Sequence, residues 1–264
     1  MGITPLLEHV VPFTLVLARL SGLFLFAPVV GSLTIPHRAK ALLAVSLAAA
    51  IYPTLGVQIQ TPTDLDLFAL APIVTLEVMI GLIIGSIAIL PLMALQMAGH
   101  MMGYQMGLAL AQSYNPELDS QTEIMGQILF FLGVGLFMSY GGVEVMFSTV
   151  VNTFDTVPLG GFAPGTTPLE LMVGTLASGF ALAVRVSAPV LAAVTLVLVS
   201  MGFIMKTMPA INVLSVGFAI KIICGIGISI AGLNIIAGVA GDEINRVLEL
   251  IAAWPETLIP REPA

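Results

Sequence analysis

Charge is what this chain has least of. Only 8 of its 264 residues are Lys or Arg and 15 are Asp or Glu, so charged residues make up 9%, far below the roughly 25% of an ordinary soluble domain. Hydrophobic residues take 58% and the mean hydropathy is +1.08, the composition of a polytopic helical membrane protein. A net charge of −7 has the wrong sign for a nucleic-acid partner. Aromatics are scarce at 7%, and no segment alternates apolar and polar residues as an outer-membrane strand does, which argues against a barrel. The single cysteine, Cys224, sits in an apolar run, so no intrachain disulfide can form and the residue reads as a small buried hydrophobe. His9, His37 and His100 lie in three separate regions without a Cys or carboxylate at ligand spacing, so no metal site is expected. Residues 227–231 only approximate G-x-S-x-G, and no histidine follows His100 to activate Ser229. There is no phosphate loop, and the sequence supports neither an enzyme nor a cofactor.

Residues 1–11 carry Glu8 and no basic residue, unlike the n-region of a cleaved signal peptide, so the first apolar segment is expected to stay. Leu6 occupies the place where a myristoylation signal needs Ser or Thr.

Six apolar segments follow. The first, 12–30, holds Arg19 near its centre, at a cost of roughly 2.5–3.5 kcal/mol if left alone in lipid, so Arg19 needs a partner or a wet surface. Arg38 and Lys40 put the next link on the cytoplasmic side, and Asp64 and Asp66 mark the link after segment two as lying on the far side. Segment three starts near Phe68, carries Glu77, and includes a run, 78–116, with no Asp, Glu, Lys or Arg. As one helix from 68 to 111 it would measure about 66 Å against a hydrocarbon core of roughly 30 Å. It must break or stand partly outside lipid, and Pro91 predicts a kink. Beyond Leu95, Gly99, Gly103 and Gly107 form one helical stripe beside Gln96, His100 and Tyr104. Lipid does not reward such a polar stripe, so this end is expected to face protein or water.

Ser120 to Glu123 matches a capping box before the apolar run 124–138 and leaves a loop at 112–119. The link 152–167 is rich in Gly and Pro and reads as a boundary. Thr167, Pro168 and Glu170 begin segment five, which is too long for a simple span and holds Arg185 and Pro189, predicting a kinked helix or a helical hairpin. Segment six, 213–241, contains Lys221. Ile244, Val247, Leu248 and Ile251 then make an amphipathic tail expected to dock on protein, to stop at Pro255 and to anchor Trp254 at the interface. The intramembrane charges Arg19, Glu77, Glu144, Arg185, Lys206 and Lys221 read either as an ion or proton path or as structural pairs between helices or subunits. Pairing is favoured, because a chain of carboxylates is missing.

Several stretches in order resemble one family. They are ARLSGLFLFAP with Arg19, Gly22 and Pro28; Glu77, Gly81 and Gly85; AGHMMGYQMGLALAQSYNPELDSQTE; and MKTMPAINVLSVGFAIK with Lys206, Pro209, Asn212, Gly217 and Lys221. Together, over nearly the whole chain, they resemble the FliR/SctT family of type III export-gate subunits. Lys206, Ala219 and Gly141–Gly142 depart from that family's more usual Arg, Pro and Gly-His. The resemblance implies an all-α, polytopic membrane protein of long kinked helices and helical hairpins in the bacterial inner membrane, at the flagellar basal body. It implies a FliP-like part at 1–151, a link at 152–168, a FliQ-like part at 169–241 and a tail at 242–264. Implied partners are FliP-like and FliQ-like membrane subunits, a FlhB-like subunit and unfolded exported proteins. The resemblance further implies a channel plug at about 104–120, carried by Gly103, Tyr104, Gln105, Met106, Gly107, Gln112, Tyr114, Asn115 and Pro116. The rival reading is a secondary transporter or channel for a small solute, with a midplane site at a Gly-rich broken helix.

Overall fold

The computed structural model describes residues 4–31, 35–55, 67–108, 124–161, 167–207 and 213–257, and every regular element among them is a helix. In chain order these are α1 (Thr4–Phe26), α2 (His37–Ile51) with a 3-10 turn (Tyr52–Thr54), α3 (Leu67–Met106), α4 (Ile124–Ser139), α5 (Gly142–Thr156), α6 (Thr167–Thr207), α7 (Val213–Ala231) and α8 (Leu233–Thr257). Three stretches, His9–Phe26, Leu70–Met106 and Pro168–Thr207, are each long and apolar enough to cross a membrane. The consecutive pairs α4–α5 and α7–α8 qualify only if each pair is one broken span. The chain is an all-α polytopic membrane protein.

The breaks fall where glycine permits them and not where length alone suggested them. Segment three stays whole: α3 runs unbroken for 40 residues, straight through Pro91, and so measures about 60 Å. Membrane helix tilts of up to about 40° do not absorb that excess, so part of α3 lies beyond the hydrocarbon. Segment five is likewise one 41-residue helix, with Pro189 inside it, and not a hairpin. Segment four divides instead, at Gly141, whose φ of +70° belongs to the left-handed region that glycine enters without penalty. Segment six divides at Gly232, where α7 and α8 bend by 59°. The expected stop at Pro255 does not hold, because α8 continues to Thr257. Pro255 forgoes only the bond its missing N–H would make to the Ile251 carbonyl, and only two helical residues follow it. Trp254 is not an interfacial anchor either; it is buried, 1% exposed, with Val247, Leu248 and Ile251.

Two compact units emerge, neither contiguous in sequence. The first comprises Met1–Leu90, Tyr140–Thr175 and Asn245–Ala264. Its centre is the meeting of α1 with α3. A Cβ on Gly22 would overlap the Val78 carbonyl oxygen, and one on Gly81 would overlap the Arg19 carbonyl. Gly85 lies against Leu23 and Ala27 in the same order, so the two helices run parallel with their backbones touching. Ile80, Ile83, Ile84, Leu20 and Leu23 bury the flanks of this seam. At its other end α1 is tied to the 3-10 turn by a His9 Nδ1 to Tyr52 hydroxyl hydrogen bond of 2.8 Å and by the edge of Phe13 on the Tyr52 ring.

The second unit comprises Pro91–Ser139 and Leu176–Ile244. Its core joins Leu95, Met102 and Met106 of α3 with Leu129 of α4, Val186, Val190 and Val194 of α6, and Ile236 and Ala240 of α8. Gly99 sits against the Met125–Gly126 backbone, a second glycine-mediated seam.

The seams give a direct contrast. Gly81→Ala forces backbone atoms apart and is expected to cost about 1–3 kcal/mol. Gly227→Ala, where a Cβ meets nothing within 4 Å, is expected to be neutral or to gain up to about 1 kcal/mol from helix propensity. Thermal unfolding midpoints of the purified variants in detergent check this, and equal effects at the two sites would contradict the packing described.

Candidate functional site

Arg19 lies one turn before Gly22 on α1, and Glu77 one turn before Gly81 on α3, so the glycine seam brings both side chains to one place. Both are completely buried, at 0% exposure. Arg19 Nε donates to Glu77 Oε2 at 2.6 Å, Nη1 to the Thr153 hydroxyl at 3.0 Å and Nη2 to the Val157 carbonyl at 3.3 Å. The Phe154 ring covers the guanidinium, 4.3 Å from Cζ to the ring centroid. The second carboxylate oxygen, Oε1, accepts the Gly160 N–H at 2.8 Å. Gly160 has a φ of +78°, and Gly161 N–H bonds back to Pro158 O at 2.9 Å. That is a type II turn, which needs glycine at its third position. The pair thus pins α1, α3, the end of α5 and the following turn together. Its five polar atoms are all directed at protein groups, which suits a fixed clamp better than a station on a proton path.

The other four predicted charges are not drawn into this cluster. Glu144 is exposed in the first turn of α5, where its charge complements the helix dipole. Lys206 is exposed in the last turn of α6, again complementing the dipole. Arg185 is exposed on α6 and Lys221 is half-buried on α7. None of the four makes an ion pair among the described residues. No group of His, Cys, Asp or Glu among the described residues could hold a metal.

At the predicted plug, Gly103, Tyr104, Gln105 and Met106 are not loop; they form the last turn of α3. Gly107, with φ +84° and its N–H on Tyr104 O, ends the helix. Met106 is fully buried, its sulfur pressed onto Gly225 of α7. Gln105 Nε2 donates to the Thr195 hydroxyl of α6 at 3.1 Å. Tyr104 points outward and is 74% exposed. Gln112, Tyr114, Asn115 and Pro116 lie outside the described residues.

Sequence reasoning missed Thr153, Phe154, Val157 and Gly160, because it assigned 152–167 to a boundary link. The readable signal was Pro158-Leu159-Gly160-Gly161, a type II turn sequence close enough to a helix to serve as a cap on it.

Removing one partner of the pair leaves the other charge buried without compensation. Arg19→Ala and Glu77→Ala are each expected to cost about 3–5 kcal/mol and to abolish accumulation in membranes. The double variant Arg19→Met with Glu77→Leu removes both charges and is expected to recover most of it. Quantitative immunoblots of membrane fractions decide; a double variant as poor as the singles would show that the pair does not act as a unit.

A family model described as bacterial export proteins, family 1, matches residues 10–247 of this chain. The flagellar biosynthetic protein FliR of Caulobacter vibrioides is 29% identical over 240 residues, which cover 89% of this chain and 94% of that protein. FliR of Bacillus subtilis is 25% identical over 240 residues, with 90% and 92% covered. The Yop proteins translocation protein T of Yersinia pestis is 28% identical over 216 residues, with 79% and 80% covered. The matched span begins within α1, before Arg19, and ends within α8, and over that length the chain belongs to the bacterial export proteins, family 1.

Proposed function

We propose that this chain is a non-enzymatic structural and gating subunit of the flagellar type III protein export gate, helping to form and plug a channel for unfolded export substrates. Its place is then the inner membrane at the flagellar basal body, among FliP-like and FliQ-like subunits and a FlhB-like protein. In this reading 1–151 is the FliP-like part and 169–241 the FliQ-like part. The names of the relatives, from both flagellar and Yop translocation systems, support the assignment to type III export.

The observation that carries the proposal is α6. In an 18-residue apolar window of its Pro168–Thr207 stretch only 17% of the residues are buried. Leu169, Val173, Phe180, Leu196 and Phe203 are each about half exposed or more. At 41 residues, about 62 Å, this apolar surface is twice as long as a bilayer can cover. The remainder needs protein against it, which suits a subunit of a larger assembly. A transporter that works alone has no such need. The neutral stretch at the end of α3, and the uncharged residues that follow it as far as Pro116, suit a stopper that passing polypeptides push aside.

Affinity purification of the tagged chain with and without co-expressed FliP-like and FliQ-like subunits tests the proposal. A stoichiometric complex is expected only with them. Solute uptake by the isolated chain in liposomes would instead support the transporter reading. Within the assembled complex, deleting 108–116, which spares Met106 and Gly107, is expected to leave assembly intact and to raise ion conductance in planar bilayers. Unchanged conductance would contradict the plug.

A further inference from the structure

The second unit holds a cavity of about 330 Å³ between α6 and the α7–α8 bend, within the usual size range of ligand pockets. Val186, Val190, Ile228, Ile235 and Val239 line it, and Arg185 is its one charged residue. Two interruptions of the backbone border it. Pro189 has no N–H to offer the Arg185 carbonyl, and its ring crowds that turn of α6. Gly232 is where α7 and α8 bend. Arg185 is exposed and makes no ion pair among the described residues.

Charge spacing along α6 gives Arg185 a depth. Residues 186–205 contain no Asp, Glu, Lys or Arg, and Lys206 closes the run. From 185 to 206 the helix rises about 32 Å, close to the roughly 30 Å of a hydrocarbon core. The charge-free run on the other side, 171–184, rises only about 21 Å and cannot span. That spacing matches the distance between the two edges of the hydrocarbon, where lipid phosphates lie. A lone guanidinium there, over an apolar cavity, matches an anion joined to a hydrocarbon tail.

We propose that this cavity binds an anionic phospholipid, with the phosphodiester on the Arg185 guanidinium and an acyl chain against Val190, Ile235 and Val239. The guanidinium offers a phosphate two N–H groups in a fork. No carboxylate lines the cavity to receive a choline headgroup, so net anionic lipids are preferred. This site goes beyond the export-gate reading and stands independently of it.

Native mass spectrometry of the detergent-purified full chain, titrated with dioleoylphosphatidylglycerol or dioleoylphosphatidylcholine, tests the proposal. Wild type is expected to prefer the glycerol lipid by about tenfold, the strength of a charge-assisted hydrogen bond. Arg185→Gln is expected to lose that preference while keeping the wild-type melting midpoint, since the side chain is exposed. Arg185→Lys should keep part of it, and Val239→Trp, which fills the cavity, should weaken both lipids. Equal binding of the two lipids by wild type, or undiminished phosphatidylglycerol binding by Arg185→Gln, would overturn the proposal. So would loss of a co-purifying membrane protein from Arg185→Gln with lipid binding intact, because Arg185 would then face protein.

Discussion

A guanidinium cannot be left bare in an apolar interior, and in the first unit that constraint decides where separate segments meet. Arg19 is answered by a carboxylate from α3, a hydroxyl and a ring from α5, and a carbonyl from the turn beyond it. Glu77 lies 58 residues from Arg19 and Thr153 lies 134, and the guanidinium is a contact the two distant segments share. A buried ion pair adds little net stability, since desolvation offsets most of its Coulomb energy. It does penalise every alternative register of α1 against α3, because a slipped helix would strand a charge. The glycine seam makes the arrangement feasible: only with backbones in contact can Arg19 reach both Glu77 and the end of α5.

A second constraint is length. Helices of about 60 Å do not fit inside a bilayer, and α3 and α6 meet this differently. Within an 18-residue apolar window of Leu70–Met106 on α3, 61% of the residues are buried inside the chain, whereas in such a window of Pro168–Thr207 on α6 only 17% are. The first is largely satisfied by its own fold; the second leaves a surface for lipid over one part and for protein over the rest. That asymmetry is the physical content behind assigning the chain to an assembly.

Much of this was legible in the sequence, and the failures have identifiable causes. The helical membrane class follows from composition. The demand that Arg19 find a partner pointed to a buried pairing, while the part Gly81 and Gly85 play in the seam was not read. For segments three and five the unbroken alternatives hold, and the hairpin and the broken helix do not. Pro91 and Pro189 do not end their helices, while single glycines at 141 and 232 do end or bend theirs. A proline removes one hydrogen bond that neighbouring helices can compensate, whereas a glycine at positive φ or at a bend redirects the chain outright. The partners from α5 and its turn could not be read, since nothing in a linear pattern says which hydroxyl or carbonyl will lie beside a given guanidinium 134 residues away. The cavity beside Arg185 was equally hidden, because it needs two distant interruptions to coincide.

The end of α3 ties these strands together. Met106 and Gln105 hold its last turn to α7 and α6, Gly107 stops it, and Tyr104 is left facing outward. The last turn of the helix is thus held in a defined place, and the uncharged run that includes it is proposed to close a channel. The most direct measurement is site-specific photo-crosslinking in cells from a benzoylphenylalanine at position 104, with an export substrate stalled in transit by a folded fusion domain. The account predicts an adduct between this chain and the stalled substrate that disappears when the substrate is not expressed. Adducts confined to lipid or to resident membrane proteins, with none to the substrate, would contradict it.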